Sequence, residues 1–253
     1  MGTINKIAVF FNTPKRLNVF KSHIDKVSTE SKKEKLKKLC STRWVERHDA
    51  ILTFLELHEV TIAALSEIQL WRDKDSSSDA FSFLKSIQTL EFQFSLRIIS
   101  KIFAITLPLS KQLQTTNFDL GQALDLAESV QNRLLSIRDN AEGEFNQIFK
   151  DVKTSCKEMD IEMALPRTNS RQTQRNNVPA EVPEEYFRRA YFIPFVDSSI
   201  SHLKERLLKH KNIVQGFQVL LPNKHFNEDG LEKLYDFYEH FLGACSFETV
   251  LGE

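Results

Sequence analysis

Along most of this chain of 253 residues, apolar side chains recur every three or four positions, the period of a helix with one buried face. Residues 4–12 predict a short helix ending near Asn12. Thr13-Pro14 then reads as an N-cap followed by proline at the first helical position. Leu17, Phe20 and Ile24 give the next helix its apolar face, and residues 28–38 predict a solvated helix start or loop. From Thr42 a single helix is predicted through Trp44, Ile51, Leu55, His58, Ile62 and Leu65 to about Trp71. Residues 73–79 read as a loop. Asp79 is the expected cap of a helix carrying Phe83, Ile87, Leu90, Phe94 and Ile98.

The stretch Glu91–Ile98 alternates apolar and polar residues with period two, as a strand would. Helix is the better reading, because apolar positions continue at 98, 102 and 105 and no turn residues bracket a short strand. With Phe92, Leu96, Ile99 and Phe103 on a second side, this helix is apolar nearly all round and is the expected centre of the core. Pro108 predicts a kink or break in it. Residues 119–159 predict one long helix, with Leu120, Leu124, Ala127, Val130, Leu134, Ile137, Ala141, Phe145, Ile148 and Val152 on one stripe. Packing within the chain is the simple reading of that stripe, and a coiled-coil dimer the sharper one. Residues 166–183 hold three prolines and predict a connector. Helices then resume, first with Tyr186, Phe187, Ala190, Tyr191, Phe192 and Phe195, broken at Ile193-Pro194, and then with Ile200, Leu203 and Leu207. Leu220–Pro222 ends that unit. A last helix, Leu231–Leu242, follows a cap at Asn227–Asp229. The expected organisation is therefore all-α, a multi-helix bundle, with segments 1–165 and 184–253 joined by the connector 166–183.

Lysine plus arginine equals aspartate plus glutamate, 34 each, so global charge gives no nucleic-acid signal. Local charge does. Residues 15–47 hold eleven Lys or Arg against four acids, a formal excess of seven positive charges. Cys40, Cys156 and Cys245 are far apart and form no CxxC pair, which argues against a disulfide framework or a cysteine zinc site and suits the nucleus or cytoplasm. The start of the chain lacks the apolar run of a signal peptide, and the stretch Ile98–Leu109 reads as too short and too polar to span a bilayer, so no membrane partner is expected.

No phosphate-binding loop, dinucleotide fingerprint, zinc-protease or nucleophile-elbow motif is present, the seven histidines are scattered, and no cofactor is expected. Two spots carry candidate nucleic-acid chemistry. In the segment Cys40–Ala50, Arg43 and Trp44 lie beside the basic run containing Lys33, Lys35, Lys37, Lys38 and Arg47. An indole face can stack on a base and a guanidinium can fork onto phosphate, whereas a buried Trp with an Arg ion pair is the purely structural account. In Pro166–Val178, Arg167, Arg171 and Arg175 occur without an acid, either in a plain loop or along a phosphate backbone. The aromatic-rich segment Tyr186–Leu207 reads as core.

The segments FFNTPKRLNVF, LCSTRWVERHDAI, FQFSLRIISKIFAITLPLSKQLQ, LAESVQNRLLSIRDN, PRTNSRQTQRNNVP and EEYFRRAYFIPFVDSSISHLKERL, taken in order, resemble hAT-superfamily transposases. The resemblance is closest to host-domesticated, zinc-finger-MYM-type-1-like members. It implies an RNase H-like catalytic domain interrupted by a large helical insertion, with three metal-binding carboxylates outside that insertion. About forty residues precede Arg43 here, and they read as helix. The usual assembly signature is not seen beyond Leu220-Leu221-Pro222. The resemblance therefore implies the helical insertion with short flanks, transposon-derived and without catalytic activity of its own. Among residues carried over by motif, Trp44 is implied to support a displaced base, while Pro194 and Asp197 are implied to be structural. DNA in the nucleus is the implied partner. A helical interaction or dimerisation module, pairing with itself or a related transposase-like protein, is the alternative.

Overall fold

The computed structural model describes residues 2–26, 33–39, 44–115, 120–166, 178–209, 211–218, 228–242 and 247. Among these residues every regular element is a helix, as the hydrophobic period predicts. The first half comprises α1 (Gly2–Phe10), α2 (Pro14–Lys26), α3 (Trp44–Glu56), α4 (His58–Ile68), α5 (Lys74–Ile87) and α6 (Leu90–Gln112). It is followed by α7 (Leu120–Asp139), α8 (Ala141–Glu158), α9 (Pro183–Phe187), α10 (Ile193–Leu203), α11 (Lys211–Gln218) and α12 (Glu228–Leu242).

Helix α6 organises the rest. Its buried Leu96 and Phe103, with Phe92 and Ile99 beside them, join a first core built with α1, α2, α3, α4 and α5. Its buried Leu90, Phe94, Ile98, Ile102 and Leu109 join a second core built with α7, α8, α9 and α10. Residues two apart on an α-helix are separated by about 200°, so the two stripes face opposite ways. That geometry also explains the strand-like alternation of residues 91–98: Phe92 and Leu96 serve one core, Phe94 and Ile98 the other. By length and composition α6 could cross a membrane, which reading Ile98–Leu109 alone did not reveal; here it lies between two cores.

A third, narrower sector of α6 is polar. Gln93 is fully buried, and its amide nitrogen donates to the Ile87 carbonyl at 2.7 Å and to His58 Nε2 at 3.2 Å. Its amide oxygen accepts from Arg97 at 2.8 Å, and Arg97 donates onward to Ser155 on α8. One turn on, Lys101 pairs with Glu144 of α8 at 2.6 Å. The seam thus ties α4 and α5 to α8 across the central helix. Every amide group of Gln93 is satisfied, which is what makes its burial tolerable.

Several boundaries differ from expectation for identifiable reasons. The helix expected from Thr42 to Trp71 is two helices, bent at Leu57 (φ −98°, ψ 19°), where the Thr61 hydroxyl and amide both bond the Leu57 carbonyl. Residues 74–79 are helical, so Asp73 and not Asp79 stands at the start of α5, its carboxylate accepting from the Ser76 hydroxyl at 2.5 Å. Pro108 does not end α6: both it and Ala104, whose carbonyl would lose its bond, are exposed, so water can serve that oxygen. The long helix over 119–159 divides at Asn140, whose side chain folds back over Gly143. The backbone runs through Ile193-Pro194 without a break, by way of a π-helical turn over Arg188–Phe192. An α-helix would set Phe187 and Phe192 roughly 140° apart, and the wider turn brings both into the second core. A second such turn spans Lys204–Leu208. At the far end α11 and α12 cross closely, for a Cβ on Gly216 would lie 2.9 Å from the Gly230 carbonyl. Lys211 pairs with Glu128 and so holds α11 to α7.

Phe94 is fully buried and stacks on Phe187, Phe145 and Phe149 at 4.1, 5.7 and 5.9 Å. Phe94→Ala should cost about 3–5 kcal/mol in urea unfolding, against under about 0.5 kcal/mol for Phe241→Ala, whose side chain is exposed. In the seam, burial and then the Arg97 charge push His58 down to about 4. The folded protein therefore binds fewer protons at His58 than the unfolded chain does, and this contribution is lost as pH falls from about 6.5 to about 4. The loss is of the order of 3 kcal/mol. Urea midpoints at pH 7 and pH 4.5 should converge in His58→Gln relative to the wild type, and equal pH sensitivity in both would contradict the assignment.

Candidate nucleic-acid interface

The basic residues expected to meet nucleic acid fall into three groups in the structure. Arg43, Arg167, Arg171 and Arg175 lie outside the described residues, and so does the side chain of Trp44, whose backbone opens α3. The end of a unit expected at Leu220–Pro222 also falls outside them, as does Asn227 of the expected cap, while Asp229 of that cap lies inside the first turn of α12. Arg47 is half-buried on α3 and already engaged by neighbours. Lys33, Lys35, Lys37 and Lys38 are brought together on one segment.

That segment, residues 33–39, is the loop of the two expected forms and not the helix start. It is an irregular strap fastened to the first core. Leu36 inserts into the core with 8% of its surface exposed, Leu39 packs against it, and the Leu39 amide donates to Asn5 Oδ1 on α1 at 3.0 Å. A polar sequence hides this anchor because a single leucine every few residues gives no period to read.

The strap runs antiparallel to α3. Lys37 pairs with Asp49 at 3.1 Å, and Lys33 pairs with Glu56 at 2.5 Å. Asp49 and Glu56 are seven residues apart, two turns and about 10 Å along the helix, on one face. Four residues of extended chain span about 13 Å, so the two ladders register. On the strap's other side Lys21 of α2 bonds Glu34 at 2.8 Å, and that hydrogen bond and charge, helped by Lys35, hold the Glu34 carboxyl below its usual range.

Lys35 and Lys38 are different. Both are exposed, and neither makes a hydrogen-bonded ion pair among the described residues. They flank a shallow groove of about 500 Å³ whose wall is Asn12, Leu36, Lys37, Glu46 and Asp49. The local excess of positive charge counted over residues 15–47 is thus partly cancelled by Asp49 and Glu56, which lie beyond that window. Those two acids, Asn12 and the Leu36 anchor were missed by sequence reasoning, because only the fold brings them to the strap.

Helix α3 is itself held firmly. His48 is fully buried, 2.9 Å from the Thr106 hydroxyl of α6, with its ring 4.3 Å from that of Phe103. The scattered histidines include this one as a packing element. Asp197 pairs with Arg138 at 2.7 Å and so ties α10 to α7, the structural place implied for it. A second groove, about 530 Å³, is lined by Lys153, Thr154, Cys156, Lys157, Ile161 and Met163. Burial pushes the Cys156 thiol up, against the opposing Arg97 charge. Among the described residues no cluster of three or more His, Cys, Asp or Glu side chains is placed to hold a metal ion.

No family profile matches the chain, and no solved structure matches it. Among curated proteins it is similar to the 52 kDa repressor of the inhibitor of the protein kinase of Homo sapiens, 24% identical over 212 residues, covering 81% of this chain and 28% of that protein. The Mus musculus protein of the same name is 24% identical over 213 residues with the same coverage. The chain therefore spans little more than a quarter of the length of these relatives.

Proposed function

We propose that this chain is a transposon-derived helical module, a catalytically incomplete relative of hAT transposases, that associates with DNA in the nucleus and cleaves none by itself. The observation that carries the reading is the strap. Leu36 pins it to the core while Lys35 and Lys38 are exposed, with no hydrogen-bonded ion pair among the described residues, at the rim of a groove where they can meet phosphate oxygens. Because the backbone of the strap is already fastened, binding phosphate would order the lysine side chains alone and not the segment that carries them. The curated relatives bear the name of a repressor, which supports a role other than catalysis.

A narrower observation favours the alternative, a helical interaction module that pairs with itself or a related protein. Phe217 on α11 and Phe237 and Phe241 on α12 are exposed, at 46%, 49% and 75%. Sedimentation over a range of concentrations separates the two readings: a dimer that Phe241→Ser abolishes, and that ignores DNA, favours the alternative.

Binding of a labelled hairpin duplex, followed by fluorescence anisotropy at 50 and 150 mM salt, tests the main reading. Lys35→Glu/Lys38→Glu should weaken binding by at least about tenfold at low salt and flatten the logarithmic salt dependence by about 1.8, two phosphate contacts' worth. Trp44→Ala should weaken binding to unpaired bases by roughly 1–3 kcal/mol per stacked base and leave plain duplex nearly unaffected. Unchanged affinity in both variants would refute the proposal.

A further inference from the structure

We infer that Asp49 and Glu56 on α3 restrain phosphate binding by the strap, acting as built-in competitors that hold Lys37 and Lys33 back from a nucleic-acid backbone. The inference rests on reading the strap as phosphate-facing and concerns the regulation of that same site. A carboxylate offers a lysine the same chemistry as a phosphate oxygen, so each lysine can serve only one of them well.

Three observations carry it. First, the lysines of the strap divide: Lys33 and Lys37 are paired to α3, while Lys35 and Lys38 are exposed without such partners among the described residues. Second, both acids project from a single face of a helix that cannot retreat, because α3 packs on α6 through buried His48, Ile51 and Phe54. The competitors are therefore permanently at the strap. Third, Asp49 lies in the wall of the groove between Lys35, Lys37 and Lys38, together with Glu46, so a phosphate entering the groove meets negative charge there. Both pairs are half-exposed, which keeps them exchangeable. Modification or partner binding that neutralises either acid would therefore strengthen binding without rearranging the fold.

The closing experiment compares the full chain with Asp49→Asn/Glu56→Gln, using the hairpin duplex at 150 mM salt. At that salt, charges more than about 8 Å away are largely screened. A control, Glu142→Gln/Glu205→Gln, removes the same charge from exposed acids on α8 and the second π-helical turn. Each exposed pair released should be worth roughly 1.5- to 5-fold. The Asp49/Glu56 variant should thus bind roughly 2- to 25-fold tighter than the wild type, with a salt dependence steeper by up to about 1.8, while the control changes less than about 1.5-fold. A measurement without DNA runs alongside: in the wild type, amine acetylation should be slower at Lys33 and Lys37 than at Lys35 and Lys38, and the variant should remove that difference. If the wild type binds through Lys35 and Lys38 but the Asp49/Glu56 variant matches the control, the inference is overturned and the strap reading stands. If neither the wild type nor the variant binds, both are overturned. Binding by the variant alone supports the inference.

Discussion

Two cores share one helix, and the structure depends on that sharing. A helix of α6's length offers three usable sectors, and all three are occupied: one by each core and the third by the polar seam of Gln93, Arg97 and Lys101. Hydrophobic burial on opposite faces leaves α6 no freedom to rotate, since turning either stripe away from its core would expose aromatic and aliphatic side chains together. The seam adds direction to this. A buried amide with every hydrogen bond made fixes the register of α4, α5 and α8 against α6 more narrowly than apolar packing does.

The candidate site inherits its rigidity from the same source. Helix α3 lies on α6 by way of His48 and Phe103, which sets the face of α3 about a quarter-turn round, with Asp49 and Glu56, toward the strap. The strap in turn is held by Leu36 in the first core. Its charged side chains thus sit on a surface fixed from beneath, and the balance between lysines and carboxylates there is a property of the fold more than of local sequence. The zero net charge of the chain agrees with such internal pairing: basic and acidic segments distant in sequence meet in space.

Much of the fold was legible in the sequence, because a helix with one buried face writes its period plainly. Helix α2, the helical state of residues 91–98, the centrality of α6 and the helices carrying Tyr186–Leu207 could all be read in this way. What failed was punctuation. The bends at Leu57 and Asn140 leave the apolar period nearly intact, so two helices in each place read as one. Pro108 reads as a kink or break and Pro194 as a break, yet neither ends its helix: Ala104 and Pro108 are exposed, so water can serve the orphaned carbonyl, and a π-helical turn comes just before Pro194. The candidate site was legible in its lysines and illegible in their partners. Nothing in the order of residues places Glu56 against Lys33, 23 positions earlier, because that pairing is made by the packing of α3 and the strap on a common core.

Native-state hydrogen exchange of the full chain tests the shared-helix account most directly. Amides of α6 between Phe94 and Phe103 should be the slowest to exchange, and protection in α4 of the first core and α8 of the second should be lost together in one global transition as urea is raised. Loss of protection in one core while α6 and the other core stay protected, at well-separated urea concentrations, would contradict it.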